Sequence, residues 1–374
     1  MTVSPPIKVL AFSPLYRPFL GGIEILLANI LQPLRELGID VAIVTESAEG
    51  LREREVMDGT RVYRLPLSAA VRSRMANEPL KVIRQLGIII EEEQPNLVHM
   101  HSVAQAAAFY VDRLTVSSSA LPIVATLHGA LVEEDKLGVV LRLLGRAKAL
   151  SGVSRACLAS AAPYIRADLP QYLIYNGIPP ARLSSQQWQE GETARLICVG
   201  RLQKEKGFDL AIRGLAHAMV RGFDGELSII GRGGEEQQLM AIAASLGIGK
   251  RVRFLGEMPP VAVEREMAQS HVILAPSRQR EGFGLVVAEA GRLGVPAIVA
   301  ETGGLPEVVV HGETGFVLDR NSHEMVGDAL LKLFSCDTNW RKLSVGVRNH
   351  VGQRFGLVDC IQGYAKFYRS ISWN

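Results

Sequence analysis

The segment EGFGLVVAE, residues 281–289, begins with a glutamate in a glycine-rich turn, continues as an apolar run and ends on a second glutamate. Gly282 and Gly284 allow the backbone to approach a ligand closely or to adopt a positive φ. The apolar run predicts a buried helix that starts near Gly284. A helix start presents free amide N–H groups and a partial positive charge, which suit a phosphate group.

The two carboxylates of this segment are spaced for a long ligand. In a continuous helix Glu281 and Glu289 would lie about 12 Å apart, at about 1.5 Å per residue. This is comparable with the separation of the sugar and the ribose in a nucleotide sugar, so we predict that one of the two glutamates holds hexose hydroxyls and the other holds ribose hydroxyls. The amides that would contact sugar and phosphate belong to Phe283, Gly284, Leu285 and Val286. The alternative is a surface turn and a buried helix with an exposed glutamate at each end.

The full string E-G-F-G-L-x-x-x-E-A resembles the signature of the GT4-type retaining glycosyltransferases, which have the GT-B fold. The same family has a G-R-L-x-x-x-K-G motif, which Arg201 and Lys206 match within residues 200–207. The resemblance implies that these cations stabilise the leaving diphosphate, with bidentate contacts from the guanidinium and a point charge from the ammonium. As isolated charges they would instead be solvated surface residues.

Two motifs in the first half of the chain extend the resemblance. The P-x-x-G-G-x-E pattern at residues 18–24 is similar to a family loop whose glycine amides, here including Gly22, approach the donor phosphate. His128 stands in T-x-H-G after a predicted strand, and the resemblance implies that it lies close to the transferred sugar. The family's N-G-V-D or N-G-I-D turn reads N-G-I-P at residues 176–179, so the usual aspartate is missing.

Length and composition predict an ordinary globular protein with more than one domain. The chain has 374 residues, of which 48% are hydrophobic and 21% are charged. A net charge of +3 gives no indication of nucleic-acid binding. The four cysteines form no C-x-x-C pattern and the first residues lack a signal-like apolar segment, so we predict reduced thiols and a cytoplasmic location.

Strand and helix patterns alternate along the chain. The predicted fold class is therefore α/β, with two doubly wound parallel-sheet (Rossmann-like) domains facing across a cleft, which is the GT-B fold that the resemblance implies. The acceptor-side domain is predicted over residues 1–178, a polar linker over 179–193, and the donor-binding domain over 194–356. The resemblance also implies that a last helix, at about 357–374, packs back on the first domain.

The predicted function is retaining transfer of a hexosyl group from a UDP- or GDP-sugar to a glycan, lipid-linked or small-molecule acceptor, as in polysaccharide biosynthesis. The predicted catalytic residues are His128, Arg201, Lys206 and Glu281. No Asp-x-Asp is present in the sequence, so we expect neither a metal nor another cofactor. His99 and His101 share one face of a strand, but the sequence suggests no third metal ligand near them.

Two other functions stay open. A nucleotide-sugar epimerase on the same plan would need further acid or base groups, and it would convert the donor without an acceptor. A catalytically silent subunit of a glycan-assembly complex would not need all of the charged residues that this chain carries at Arg201, Lys206, Glu281 and Glu289. An NAD-dependent oxidoreductase is disfavoured, because the glycines at residues 231–234 do not complete a dinucleotide fingerprint.

The segment from Arg72 to Arg84 has basic residues among apolar ones and predicts a single amphipathic helix. Such a helix suits weak peripheral contact with the anionic inner face of a membrane, or contact with an anionic acceptor. The alternative is a solvated helix face without a partner.

Overall fold

The computed structural model describes residues 6–19, 21–75, 77–101, 105–117, 121–131 and 138–371. Leu20, which belongs to the predicted phosphate loop, lies outside the described residues. The chain forms two compact units: residues 1–177 together with 357–374, and residues 178–356. Each unit has its own sheet.

The sheet of the first unit reverses its strand order near the middle. Among the described residues the strands pair in the order β3-β4-β2-β1-β5-β6-β7-β8, and all neighbours are parallel except the β3–β4 hairpin. The reversal between β1 and β5 creates a switch point, where α/β proteins bind ligands. The strands are β1 (Ile7–Phe12), β2 (Ile39–Glu46), β3 (Arg54–Met57), β4 (Thr60–Leu65), β5 (Leu97–His101), β6 (Ile123–Leu127), β7 (Ala149–Gly152) and β8 (Gln171–Leu173).

The first six helices connect these strands. They are α1 (Gly22–Glu36), α2 (Leu67–Arg72), α3 (Asn77–Glu93), α4 (Gln105–Ser117), α5 (Gly138–Arg146) and α6 (Arg155–Ala161). α1 buries side chains at three- and four-residue spacing, as Leu27, Ile30 and Leu34 show, and the chain turns after it at Gly38 with φ +80°. Ser154 caps α6, because its Oγ accepts a hydrogen bond from the amide of Cys157 at 3.1 Å.

The single helix predicted between Arg72 and Arg84 is wrong. α2 ends at Arg72, Ser73 is extended, and α3 begins only at Asn77. Pro79 lies in the first turn of α3, where proline is well tolerated because an amide at that position has no acceptor within the helix. Arg72 therefore belongs to α2, Lys81 and Arg84 belong to α3, and Arg74 lies between the two helices.

The second unit has a parallel sheet with its own switch point. Within the described residues the order is β11-β10-β9-β12-β13-β14, so the direction of strand addition reverses between β9 and β12. The strands are β9 (Ala194–Val199), β10 (Gly225–Ile230), β11 (Val252–Gly256), β12 (Val272–Ala275), β13 (Ala297–Ala300) and β14 (Gly315–Leu318).

The helices of the second unit cover the two faces of its sheet. They are α7 (Phe208–Val220), α8 (Glu236–Ser245), α9 (Pro260–Gln269), α10 (Leu285–Leu293), α11 (Leu305–Val308), α12 (His323–Leu333) and α13 (Asp337–Arg354). Trp340 of α13 is fully buried in the core, and its indole N–H donates to the carbonyl of His271 at 2.8 Å. α7 has the bounds that the sequence predicts.

The segment predicted as a linker, residues 179–193, is held against the second unit. Nη1 of Arg292 donates to the carbonyls of Pro179 and Pro180 at 2.8 and 3.0 Å. Trp188 is buried and packs edge-on against Phe334, with ring centroids 5.0 Å apart. This segment is therefore an ordered part of the second unit.

The last helix, α14 (Leu357–Arg369), belongs to the first unit. Its buried side chains, among them Tyr364, Phe367 and Tyr368, join the same hydrophobic core as β1 and α1. None of the helices in the described residues combines the length and the hydrophobicity that a bilayer span requires.

Gly231 provides a test of this fold. It follows β10 with φ +133°, and a Cβ there would overlap the carbonyl oxygen of Gly200. We expect Gly231→Ala to lower the free energy of unfolding by more than about 2 kcal/mol, because the backbone is strained for an L-residue and the space is filled. Urea unfolding followed by tryptophan fluorescence measures this, since Trp188 and Trp340 lie in the core of the same unit.

Gly234→Ala is the matched control, because a Cβ at Gly234 meets nothing within 4 Å. It should change the free energy of unfolding by no more than about 0.5 kcal/mol. Equal stability of the two variants would contradict the packing of the loops after β9 and β10.

Candidate active site

Two loops meet at the switch point of the second unit. Residues 200–207 follow β9 and residues 276–284 follow β12, and these strands are neighbours that pair through Leu196 and Val272. In open α/β sheets, ligands bind at the carboxyl ends of strands at such a point. The predicted site residues Arg201, Lys206 and Glu281 all lie on these two loops.

Lys206 and Glu281 form an ion pair that joins the loops. Nζ of Lys206 lies 2.6 Å from Oε1 of Glu281, and Oγ of Ser277 donates to the same oxygen at 2.7 Å. Oε2 of Glu281 accepts no hydrogen bond from the residues that the structure describes. Because both side chains keep about a quarter of their surface exposed, at 27% and 23%, a ligand can reach the pair.

Residues that the sequence analysis missed hold the two loops together. The Arg278 amide donates to the Glu205 carbonyl at 2.7 Å, and its guanidinium binds the Asp209 carboxylate at 2.6 and 2.7 Å. Although burial opposes it, this pair lowers the pKa of Asp209. Asn321 donates its amide to the carbonyls of Pro276 and Ser277 at 3.0 and 2.9 Å. No sequence motif marks Arg278 or Asn321, because their partners are distant in the chain.

Gly207 permits this close approach. It adopts φ +69°, and a Cβ there would overlap the carbonyl oxygen of Pro276. The lack of space for a side chain therefore explains the glycine that ends the G-R-L-x-x-x-K-G motif. It allows Lys206 to lie beside the loop that carries Glu281.

Arg201 presents a guanidinium without a partner. Its side chain is exposed and makes no hydrogen bond or ion pair with any residue the structure describes. Its backbone is well held, since the neighbouring Leu202 is buried and exchanges backbone hydrogen bonds with Arg232 and Glu235. Arg201 is therefore an accessible cation on a well-held backbone, in the same loop as Lys206.

α10 starts where the sequence predicts, but the turn before it is not helical. Gly284 adopts φ +98° and its carbonyl accepts the amides of Val287 and Ala288, both at 3.0 Å. Along the described part of the chain, the amides of Leu285 and Val286 have no acceptor, as expected for a helix start. The separation of about 12 Å predicted for the carboxylates assumed a continuous helix, so it does not apply here.

Phe283 anchors this turn in the core. Its side chain is buried and packs edge-on against Phe355, with ring centroids 5.1 Å apart. The carbonyl of Glu281 accepts the Gly304 amide at 2.8 Å, and Gly303, at φ +57°, has no room for a Cβ beside it. These contacts fix the backbone between Glu281 and α10.

Glu289 lies in a different environment from Glu281. It is partly buried on α10, and burial raises the pKa of its carboxyl to about 7; nearby Glu264 raises it further and Arg292 opposes the shift. Arg292 is engaged with the Glu264 carboxylate at 2.9 Å and with backbone carbonyls. The Glu289 carboxyl accepts no hydrogen bond from any described residue.

The other predicted site residues lie in the first unit. Gly22 is the exposed first residue of α1, after the switch-point strand β1. His128 directly follows β6, and its Nε2 lies 3.1 Å from Nδ1 of His101. Burial lowers the pKa of His128 to about 4, so its imidazole is neutral at physiological pH.

His99 is engaged through both ring nitrogens. Nδ1 lies 2.7 Å from Oη of Tyr368, and Nε2 lies 2.7 Å from Oγ1 of Thr126. In the described ranges, no group of three or more His, Cys, Asp or Glu side chains could hold a metal ion.

The two halves of the chain match two protein families. Residues 20–182 match the family described as Glycosyltransferase Family 4, and residues 182–349 match Glycosyl transferases group 1. This chain is a GT4-type glycosyltransferase. The enzyme class and the family resemblance are therefore confirmed, and the alternative functions are not favoured.

Proteins that are similar in sequence to this glycosyltransferase have different names. D-inositol 3-phosphate glycosyltransferase of Corynebacterium diphtheriae is 36% identical over 164 residues, which cover 42% of this chain and 38% of that protein. The GPI3 subunit of phosphatidylinositol N-acetylglucosaminyltransferase from Saccharomyces cerevisiae is 24% identical, and the match spans 64% of its length. N-acetyl-α-D-glucosaminyl L-malate synthase of Bacillus anthracis is 22% identical over 95% of both chains.

Solved structures confirm the predicted fold of the glycosyltransferase. Sucrose-phosphate synthase of Thermosynechococcus elongatus superposes with a TM-score of 0.80 at 19% identity, over 97% of this chain and 98% of that one. HepE of Anabaena, solved in complex with UDP and glucose, gives a TM-score of 0.79 at 21% identity, over 98% and 100%. The chain therefore has two parallel-sheet α/β domains of the GT-B type.

Glu289 gives this glycosyltransferase a predictable pH dependence of stability. Its pKa is about 7 in the folded state, against an ordinary glutamate value of 4.5 in the unfolded chain, so between these values the folded state binds more protons than the unfolded state. Stability therefore falls as the pH rises through this window, by at most about 1.4 kcal/mol per pH unit for one group. We expect Glu289→Gln to gain stability relative to wild type between pH 5 and pH 8, at about that limiting rate or less.

Urea unfolding at several pH values measures this difference. Glu190→Gln removes the same charge from an exposed site of the same unit and is the control. A difference between Glu289→Gln and wild type that stays constant with pH would contradict the raised pKa of Glu289.

Proposed function

We propose that this protein transfers a hexosyl group from a UDP- or GDP-sugar to a glycan, lipid-linked or small-molecule acceptor, with retention of the anomeric configuration and without a divalent metal. The observation that carries the proposal is the ion pair of Lys206 and Glu281, together with the exposed guanidinium of Arg201 on the same loop as Lys206, which has no partner among the described residues. These groups stand at the switch point of a group 1 glycosyltransferase domain.

The diphosphate of the donor is the natural ligand for Arg201 and Lys206. Charge grows on this group as it leaves, so fixed cations there stabilise the transition state more than the ground state. The free amides of Leu285 and Val286 at the start of α10 add donors for sugar or phosphate oxygens. Arg201 and Lys206 thus supply the positive charge that a metal ion provides in other transferases.

The two glutamates suit the two ends of the donor. Glu281 has one oxygen engaged by Lys206 and Ser277, and its other oxygen is left to accept a hexose hydroxyl. Glu289 accepts no hydrogen bond from a described residue and has a raised pKa, so it suits the uncharged hydroxyl pair of the ribose. HepE, which shares the fold, is solved in complex with UDP-glucose, so UDP-sugars are the first donors to test.

The retaining mechanism in this proposal needs no carboxylate nucleophile. Retaining glycosidases place two carboxyl groups about 5 Å apart on either side of the scissile bond. Here Glu281 is tied to Lys206 and both glutamates are assigned to binding. The acceptor hydroxyl therefore attacks on the side of the leaving group, and a diphosphate oxygen takes its proton. His128 is the proposed contribution of the first unit, acting on the transferred hexose.

Calorimetric titration with UDP and GDP tests the donor site. We expect one of the two nucleotides to bind, and Arg201→Ala to weaken its binding by about 10- to 100-fold, because a charge-assisted hydrogen bond is worth about 1.5–3 kcal/mol. Arg265→Ala removes an exposed arginine from α9 of the same unit and should leave the affinity unchanged. EDTA should also leave it unchanged.

Loss of binding in EDTA would contradict the metal-independent site. Equal affinities of wild type and Arg201→Ala would show that Arg201 does not contact the diphosphate. Binding of neither nucleotide would contradict the proposed donor class.

We also propose weak peripheral contact with an anionic lipid surface. On the exposed side of α2, α3 and the segment between them, apolar residues alternate with basic ones. The apolar residues are Val71, Met75, Leu80 and Ile88, which are 39%, 62%, 56% and 48% exposed, and the basic ones are Arg72, Arg74, Lys81 and Arg84. Exposed apolar groups flanked by cations fit the boundary of an anionic bilayer.

Flotation with vesicles that contain phosphatidylserine tests this contact. We expect binding that Leu80→Ser and Arg74→Glu weaken, since each basic residue near such a surface contributes about 1 kcal/mol. Val358→Ser is the control, because Val358 is an equally exposed apolar residue on α14 at 64%. Absence of binding to these vesicles would dispose of the proposed contact.

A further inference from the structure

His101 and His128 are joined across the carboxyl ends of β5 and β6. His101 is the last residue of β5 and pairs in register with Thr126 of β6, two residues before His128. The atoms in contact are Nδ1 of His101 and Nε2 of His128, which lie 3.1 Å apart. A hydrogen bond between two neutral imidazoles requires one nitrogen to donate and the other to accept.

The burial of His101 decides which nitrogen donates. Its Nε2 is buried and has no hydrogen-bond partner in the part of the chain that the structure describes. A proton on that atom would leave a buried N–H without an acceptor, which folded proteins rarely tolerate. A proton on Nδ1 instead makes His101 the donor to His128. Nε2 of His128 must then hold a lone pair, so His128 carries its own proton on Nδ1.

The surroundings hold His101 in this orientation. The ring of His99 stacks against it with centroids 3.8 Å apart, and His99 is itself fixed by Tyr368 and Thr126. Tyr364 from α14 faces the His101 ring at 5.8 Å. The titratable groups around His101 are thus His99, His128 and Tyr364, and burial lowers the pKa of His101 well below its usual value. Both imidazoles of the pair are therefore neutral.

We propose that His101 is a positioning residue that locks His128 in its Nδ1–H tautomer. Nδ1 of His128 has no hydrogen-bond partner among the described residues, so its N–H is available to a ligand. Resting on the proposed function, this makes His128 a hydrogen-bond donor to an oxygen of the transferred hexose. It does not act as a base toward the acceptor hydroxyl, because its basic nitrogen is occupied by His101.

Long-range proton–nitrogen NMR spectra of the full chain labelled with ¹⁵N-histidine measure the tautomers directly. The chain has eight histidines, and the signals of His128 are those that disappear in His128→Gln. We expect a protonated Nδ1 and an unprotonated Nε2 for His128. A protonated Nε2 in the wild-type protein would overturn the proposal.

Two substitutions of His101 compare a hydrogen-bond donor with a hydrogen-bond acceptor at the position of its Nδ1. His101→Asn keeps an N–H donor near the position of Nδ1, so His128 should keep its Nδ1–H tautomer. His101→Asp places an acceptor there and should move the proton of His128 to Nε2. His217→Asn, in the second unit, is the control and should leave the His128 signals unchanged. An unchanged tautomer in a folded His101→Asp variant would overturn the proposal, and the wild-type spectrum decides it if that variant does not fold.

Kinetics provide the functional readout. With the donor identified by calorimetry, His101→Asp should lower kcat for nucleotide release about 10- to 100-fold with little change in KM, whereas His101→Asn should retain most of the activity. Equal losses in the two variants would show a merely structural role for His101 and overturn the proposal. The NMR measurement of the tautomer requires no nucleotide sugar. A protein that turns over no nucleotide sugar would therefore contradict the proposed function and would not affect the measured tautomer.

Discussion

Lys206 and Glu281 can meet because β9 and β12 are neighbours in the sheet of the second unit. The two residues are 75 positions apart in the chain, and the reversal of strand order brings the loops that carry them to one edge. Gly207 removes the steric barrier between these loops, and Arg278 fastens one to the other. The placement of Arg201, of the ion pair and of the start of α10 all depends on this apposition.

The two glutamates Glu281 and Glu289 have opposite surroundings. Glu281 receives an ammonium and a hydroxyl on one oxygen. Glu289 receives no hydrogen bond from a described residue, and burial raises its pKa. In the proposed function, the carboxylate that is paired with Lys206 contacts the transferred hexose, and the carboxyl with the raised pKa contacts the ribose of the leaving nucleotide. In the first unit, burial likewise keeps His101 and His128 neutral, so their pairing is set by hydrogen bonds and not by charge.

Local patterns in the sequence predict many of the strands and helices, because buried segments appear as apolar runs and glycines mark their ends. The sequence predicts a strand over residues 7–12 and a helix over residues 208–220, and β1 and α7 have these bounds; α10 begins one residue after Gly284. No single helix spans Arg72 to Arg84, because Ser73 is extended and α3 starts only at Asn77, with Pro79 in its first turn. The parallel-sheet fold and the family could be recognised from the motifs themselves.

Contacts between distant residues could not be predicted in the same way. The sequence places Lys206 at a phosphate and Glu281 at a sugar, and nothing local indicates that they contact each other. Arg278 and Asn321 act through carbonyls of other loops, which carry no side-chain signal. The spacing of His99 and His101 predicts only that they share one face of a strand. Nothing local indicates that His99 bonds Tyr368 of α14 and that His101 bonds His128. Such roles depend on tertiary structure.

Proton NMR of the sugar that the full chain releases from a nucleotide sugar distinguishes retention of the anomeric configuration from inversion. Transferases hydrolyse their donor slowly when water replaces the acceptor, and the first anomer formed reports the stereochemistry. With UDP-glucose, UDP-galactose, UDP-N-acetylglucosamine and GDP-mannose supplied separately, the account predicts that one donor is consumed and that the α anomer appears first. Initial release of the β anomer would contradict retention, and consumption of none of these donors would contradict the proposed donor site.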